Sequence, residues 1–121
     1  MRYLLLIYAD EKGPALSPEE QPAYMDRWFK YSEELQQSGK MEGGNALQPT
    51  ATATTVRLDR SNRLISDGPF AETKEQLGGY FLIDAKDLDE AIEWSSRMPH
   101  LPVGGSVEIR PIMEFDMPSR A

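Results

Sequence analysis

Two short apolar runs constrain this chain more than any other feature: Tyr3-Leu4-Leu5-Leu6-Ile7-Tyr8 and Tyr80-Phe81-Leu82-Ile83. Neither alternates, and both are short. Each therefore reads as a strand covered on both faces, a central strand of a sheet. Each is followed by a segment with helical periodicity. After the first run, Gly13-Pro14 breaks the chain. Ser17-Pro18-Glu19-Glu20 then offers a cap, a proline at the first helical position and a capping-box glutamate. Tyr24, Trp28, Tyr31 and Leu35 recur at helical spacing and Gly39 closes the pattern, which predicts a helix over 18–38. After the second run, Asp87 and Glu90 open a helix with the stripe Leu88, Ala91, Ile92 and Met98, stopped by Pro99.

Between these units, Met41 to Leu47 predicts a strand interrupted by Gly43-Gly44. Residues 50–56 are rich in β-branched side chains, and Thr55–Leu58 is expected to pair with Arg63–Ser66 as a hairpin. The last segment, 106–115, alternates with Val107, Ile109, Met113 and Phe115 on one face. Pro111 interrupts that ladder, so the strand belongs at an edge or carries a bulge. The order predicts one α+β domain over 1–121, a ferredoxin-like βαββαβ sheet with a β-hairpin insert. Two helices on one sheet face leave the other face uncovered, and a homodimer packing sheet on sheet would cover it.

Composition narrows the function classes. The chain of 121 residues has no cysteine, which excludes disulfides, thiolate metal sites and a cysteine nucleophile. A net charge of −7 without a basic run argues against direct nucleic-acid binding. One histidine excludes a multi-histidine site within one chain, and the carboxylates show no metal-ligand spacing. The first apolar run is too short for a signal-peptide core, and no segment approaches the ~20 apolar residues of a membrane span. The expected setting is the cytoplasm, with no membrane partner.

The stretch Asp67-Gly68-Pro69-Phe70-Ala71-Glu72-Thr73-Lys74-Glu75-Gln76-Leu77-Gly78-Gly79-Tyr80 resembles the YCII-related family of the DGPF type. The resemblance covers almost the whole chain. It includes Met1 to Tyr8, Leu16 to Glu20, Gly43-Gly44, Leu47-Gln48-Pro49 with Ala53 to Val56, Asp87 to Ala91 and Ser106 to Ile112. It implies a dimeric α/β barrel built from ferredoxin-like subunits. Some relatives are proposed enzymes using a histidine–aspartate pair. Here Pro22-Ala23 is followed by Tyr24 where they carry histidine, and Arg97-Met98-Pro99 stands where they carry aspartate. That mechanism is not carried over. Genes of DGPF-type members often neighbour genes for extracytoplasmic-function sigma factors, which implies a regulatory association.

Candidate site residues follow from type and position. Asp67 is a candidate general base, set against the common role of an aspartate that accepts turn amides. His100 is the one side chain that ordinarily titrates near neutrality, set against an exposed loop histidine. Asp10, Tyr24, Phe70, Glu72 and Thr73 are candidate ligand-binding residues. Against them stand solvation for Asp10 and Glu72, packing for Tyr24 and Phe70, and capping for Thr73. Lys74 and Glu75 extend the charged stretch, which reads first as a solvated surface. Gly78-Gly79 precedes no helix and fails the context of a phosphate loop. The chain reads as a small-molecule-binding or sensing module. The alternative is a small hydrolase- or isomerase-like enzyme needing no organic cofactor and no metal. It would place His100 or Tyr24 within reach of Asp67 or Glu72.

Overall fold

Both apolar runs become interior strands. A computed structural model describes residues 1–13 and 16–116. Along the chain lie β1 (Arg2–Ala9), α1 (Gln21–Gln37), β2 (Met41–Ala46), β3 (Thr54–Asp59), β4 (Asn62–Asp67), β5 (Gln76–Asp84), α2 (Leu88–Ser96) and β6 (Ser106–Pro111). Short 3₁₀ turns fall at Thr50–Thr52 and Leu101–Val103. The main sheet runs β2-β5-β1-β6 and all its pairs are antiparallel. The architecture is mixed α+β.

Strand alternation divides the sheet into two faces. Tyr3 opposes Ile83, and Leu5 opposes both Phe81 and Ile109. Tyr3, Leu5, Phe81 and Ile83 are buried with Tyr31 and Leu35 of α1, Ala91 of α2, and Met98. A fully buried leucine or isoleucine stabilises the fold by roughly 1.5–3 kcal/mol, so this face holds the domain together. The Tyr31 hydroxyl donates to the Trp94 carbonyl at 2.9 Å, and burial pushes its phenol pKa well up. Leu4, Leu6, Tyr80 and Leu82 alternate onto the other face and are only half-buried.

Several boundaries differ from the sequence expectation. The Ser17–Glu20 box forms, with Glu20 N donating to Ser17 Oγ at 3.3 Å and Ser17 N to Glu20 Oε1 at 3.2 Å. It closes a turn before the helix, which starts at Gln21. Strand β5 begins four residues before Tyr80. Its register jumps from Ile7↔Gly79 to Tyr8↔Leu77, so Gly78 is the extra residue of a bulge. On α2, Leu88 and Ile92 of the expected stripe are exposed, while Ala91 and Ser95 are buried. Strand β6 is an edge strand that ends at Pro111, and Met113 and Phe115 leave the ladder for solvent. Strands β3 and β4 form their own two-stranded sheet, whose Arg60 turns the chain with φ 58°. Val56, Leu58 and Ile65 share one exposed face of it. Among the described residues no helix is long and apolar enough to cross a membrane.

Candidate functional site

Four segments meet at one end of the main sheet around a cleft of about 690 Å³. Its size lies within the range of small-molecule sites. After β1 the chain turns through Asp10, whose Oδ1 accepts from Lys12 N at 2.8 Å and whose carbonyl accepts from Gly13 N at 2.9 Å. The first turns of α1 supply Gln21, Tyr24 and Met25. Lys74 and Glu75 come from the segment entering β5, and His100, Val103, Gly104 and Gly105 from the 3₁₀ turn after α2.

His100 is the one histidine of the chain and lines this cleft. It is 2% exposed, not the solvated loop residue that its position after Pro99 suggests. Trp28 stacks on its ring at 5.4 Å and 25°. Nε2 lies 2.8 Å from the Ser106 carbonyl oxygen, an acceptor only, so Nε2 carries the proton. Nδ1 is then a bare acceptor. It is buried and has no hydrogen-bond partner among the described residues. Burial disfavours the imidazolium and lowers the His100 pKa below its usual value. The Ser106 hydrogen bond and the Glu75 charge oppose part of that shift. Gly105 is required here, because a Cβ on it would overlap the imidazole and sit 2.9 Å from the Tyr8 carbonyl oxygen.

The acidic groups of the cleft are held by neutral donors. Glu11 accepts from Thr50 N at 2.9 Å and from Thr50 Oγ1 at 2.8 Å. Glu75 Oε2 accepts from Ser106 Oγ at 3.3 Å. Glu11 N donates to Gln76 Oε1 at 2.8 Å, tying the β1 turn to the start of β5.

The structure brings Asp10, Tyr24 and His100 together on this cleft. It places Asp67, Phe70, Glu72 and Thr73 off it. Asp67 ends β4, opposite Thr54. The turn after it is held by main chain, with Gly68 N donating to Ala53 O at 2.7 Å and φ 95° at Gly68. The Asp67 carboxylate makes no hydrogen bond among the described residues, so it does not accept the turn amides. Phe70 is 78% exposed, so it neither lines this cleft nor anchors the loop in the core. Glu72 is solvated, and Thr73 Oγ1 donates to the Glu75 carbonyl. No carboxylate accepts a hydrogen bond from His100 or Tyr24 among the described residues. Sequence reasoning passed over Gln21, Met25, Val103 and Gly105. The glycine pair Gly104-Gly105 so soon after His100 was the available signal for a close backbone approach. No cluster of three metal-ligating side chains occurs among the described residues.

A model of the YCII-related domain matches residues 1–116. An uncharacterised protein of Rhizobium meliloti is 39% identical over 114 residues, covering 93% of this chain and 92% of that protein. A solved structure of 5-chloro-2-hydroxyhydroquinone dehydrochlorinase from Burkholderia phenoliruptrix, in complex with 2,5-dihydroxybenzoquinone, superposes with a TM-score of 0.45 at 17% identity. The likeness covers 93% of this chain and 95% of that one.

Proposed function

The chain belongs to the YCII-related family, and we propose that it binds a small organic molecule in the cleft beside His100. The observation that carries this reading is the cleft itself. It is concave, of ligand size, and has Leu16, Met25 and Val103 as walls, with a few oriented polar groups among them. The subunit is proposed to be ferredoxin-like and to pair with a second copy through the sheet face of Leu4, Leu6, Tyr80 and Leu82, as a dimeric α/β barrel. A role as a sensor in sigma-factor-dependent control is a further proposal, carried by the DGPF resemblance alone.

Purification from the native host, followed by mass spectrometry under non-denaturing conditions, tests the reading. A co-purifying small molecule, lost when Val103→Trp fills the cleft, supports it. A diverse compound panel in which nothing stabilises the protein contradicts it.

The enzyme reading ranks second. Its one favourable observation is the bare Nδ1 of a neutral, buried histidine, the protonation state of a general base. Among the described residues no carboxylate orients that ring directly. Glu75 reaches it only through Ser106, whose hydroxyl meets the carboxylate and whose carbonyl meets Nε2.

A further inference from the structure

The polar groups of the cleft are unbalanced. Among the described residues that line it, Asp10, Glu11 and Glu75 are acidic and Lys74 alone carries an ammonium. None of these four forms an ion pair within 4 Å among the described residues. Each carboxylate is fixed by a neutral donor: Lys12 N on Asp10, Thr50 on Glu11 and Ser106 Oγ on Glu75. Such bonds orient an oxygen without cancelling its charge, and a carboxylate can accept further hydrogen bonds. The lining side-chain donors are few: the Gln21 amide already leans on the Leu16 carbonyl at 3.5 Å, which leaves the Tyr24 hydroxyl and the Lys74 ammonium. His100 adds a second, independent demand. It lines the cleft, is 2% exposed, and its Nδ1 lone pair is unpartnered. A buried acceptor left unpaired costs free energy, and a ligand donor that reached Nδ1 would recover it.

We infer that the cleft takes a small organic cation, an ammonium or guanidinium group on an apolar body, and rejects the matching carboxylate. The cationic head meets the carboxylates of Asp10 and Glu75, and the body rests on Leu16, Met25 and Val103. Met25 is an adaptable wall for such a body. The net charge of −7 adds a long-range field of the same sign. This inference rests on the cleft being a ligand site.

The test uses a nearly isosteric pair, 2-phenylethylamine and 3-phenylpropanoate, titrated into the full-length protein. The chain has one histidine, so its imidazole proton resonances report binding at the cleft without assignment. The amine is expected to shift them saturably at millimolar concentrations, and the acid to leave them unchanged. Asp10→Asn and Glu75→Gln are each expected to weaken the amine about two- to five-fold, the scale of partly exposed charge pairs. Added salt should weaken it further. Two separate variants guard against a local effect of Glu75→Gln on Ser106. Equal or tighter binding of the acid overturns the inference, as does no binding by the amine. If neutral or acidic compounds shift His100 instead, the ligand site stands and its charge preference falls. If no compound of a diverse panel binds, both fall.

Discussion

Gly105 and His100 form one unit. The imidazole fits only because no Cβ stands at 105, and the nearby Tyr8 carbonyl leaves no room for adjustment. Gly105→Ala should therefore cost about 1–3 kcal/mol, the range for overpacking a filled site, read as a lower urea midpoint with an unchanged slope. It should also displace the imidazole resonances. The buried neutral state of His100 makes a pH prediction with a definite sign. Its folded pKa lies below the unfolded value of about 6.5. As pH falls through that value the unfolded chain gains a proton that the folded chain resists, so stability falls. The loss stops once the folded imidazole also protonates. His100→Gln keeps a donor for the Ser106 carbonyl but does not titrate. The stability of the wild type relative to His100→Gln should shrink between about pH 7.5 and 5.5. A constant difference would contradict the buried neutral assignment.

At the scale of elements, caps and strand pairing decide what a substitution costs. Asp87 accepts from Glu90 N at 2.9 Å, and Glu90 returns the favour to Lys86 N at 3.2 Å and pairs with Lys40 at 2.8 Å. Asp87→Ala should cost about 1 kcal/mol, measured by chemical denaturation. Ser17→Ala should cost less, because its box closes a turn outside the helix. The same contrast explains which parts were legible in the sequence. The apolar runs at 3–8 and 80–83 marked the central strands of the sheet, although in one copy only the face of Tyr3, Leu5, Phe81 and Ile83 is buried. The cap at Asp87 and the edge role of the Pro111 strand were legible for equally local reasons. The start of β5 was not, since Glu75 to Gly79 has the composition of a loop and its pairing is set by β1 and β2. Burial of His100 was hidden for a similar reason. It depends on Trp28, 72 positions earlier, and on a glycine that matters only in three dimensions. The Asp67–Phe70 turn was conspicuous in the sequence, yet it lies off the cleft.

The whole molecule presents apolar surface that one copy does not cover. The β3–β4 hairpin stands as a separate two-stranded sheet, a unit that is marginal in water without packing. Its Val56, Leu58 and Ile65 are 60%, 71% and 59% exposed. The half-buried leucines of the open sheet face add to this surface. Light scattering should give twice the mass of one chain at micromolar concentration. Leu6→Glu, on the open face, should reduce it to one. A wild-type monomer would remove the dimer proposal and leave the cleft untouched. The cleft beside His100 is where we propose that this protein meets a ligand. The most direct test of that proposal follows the His100 imidazole resonances while a panel of compounds that raise the melting temperature is titrated in. Saturable shifts that vanish in Val103→Trp are expected. Compounds that stabilise the protein while leaving His100 unmoved would contradict it.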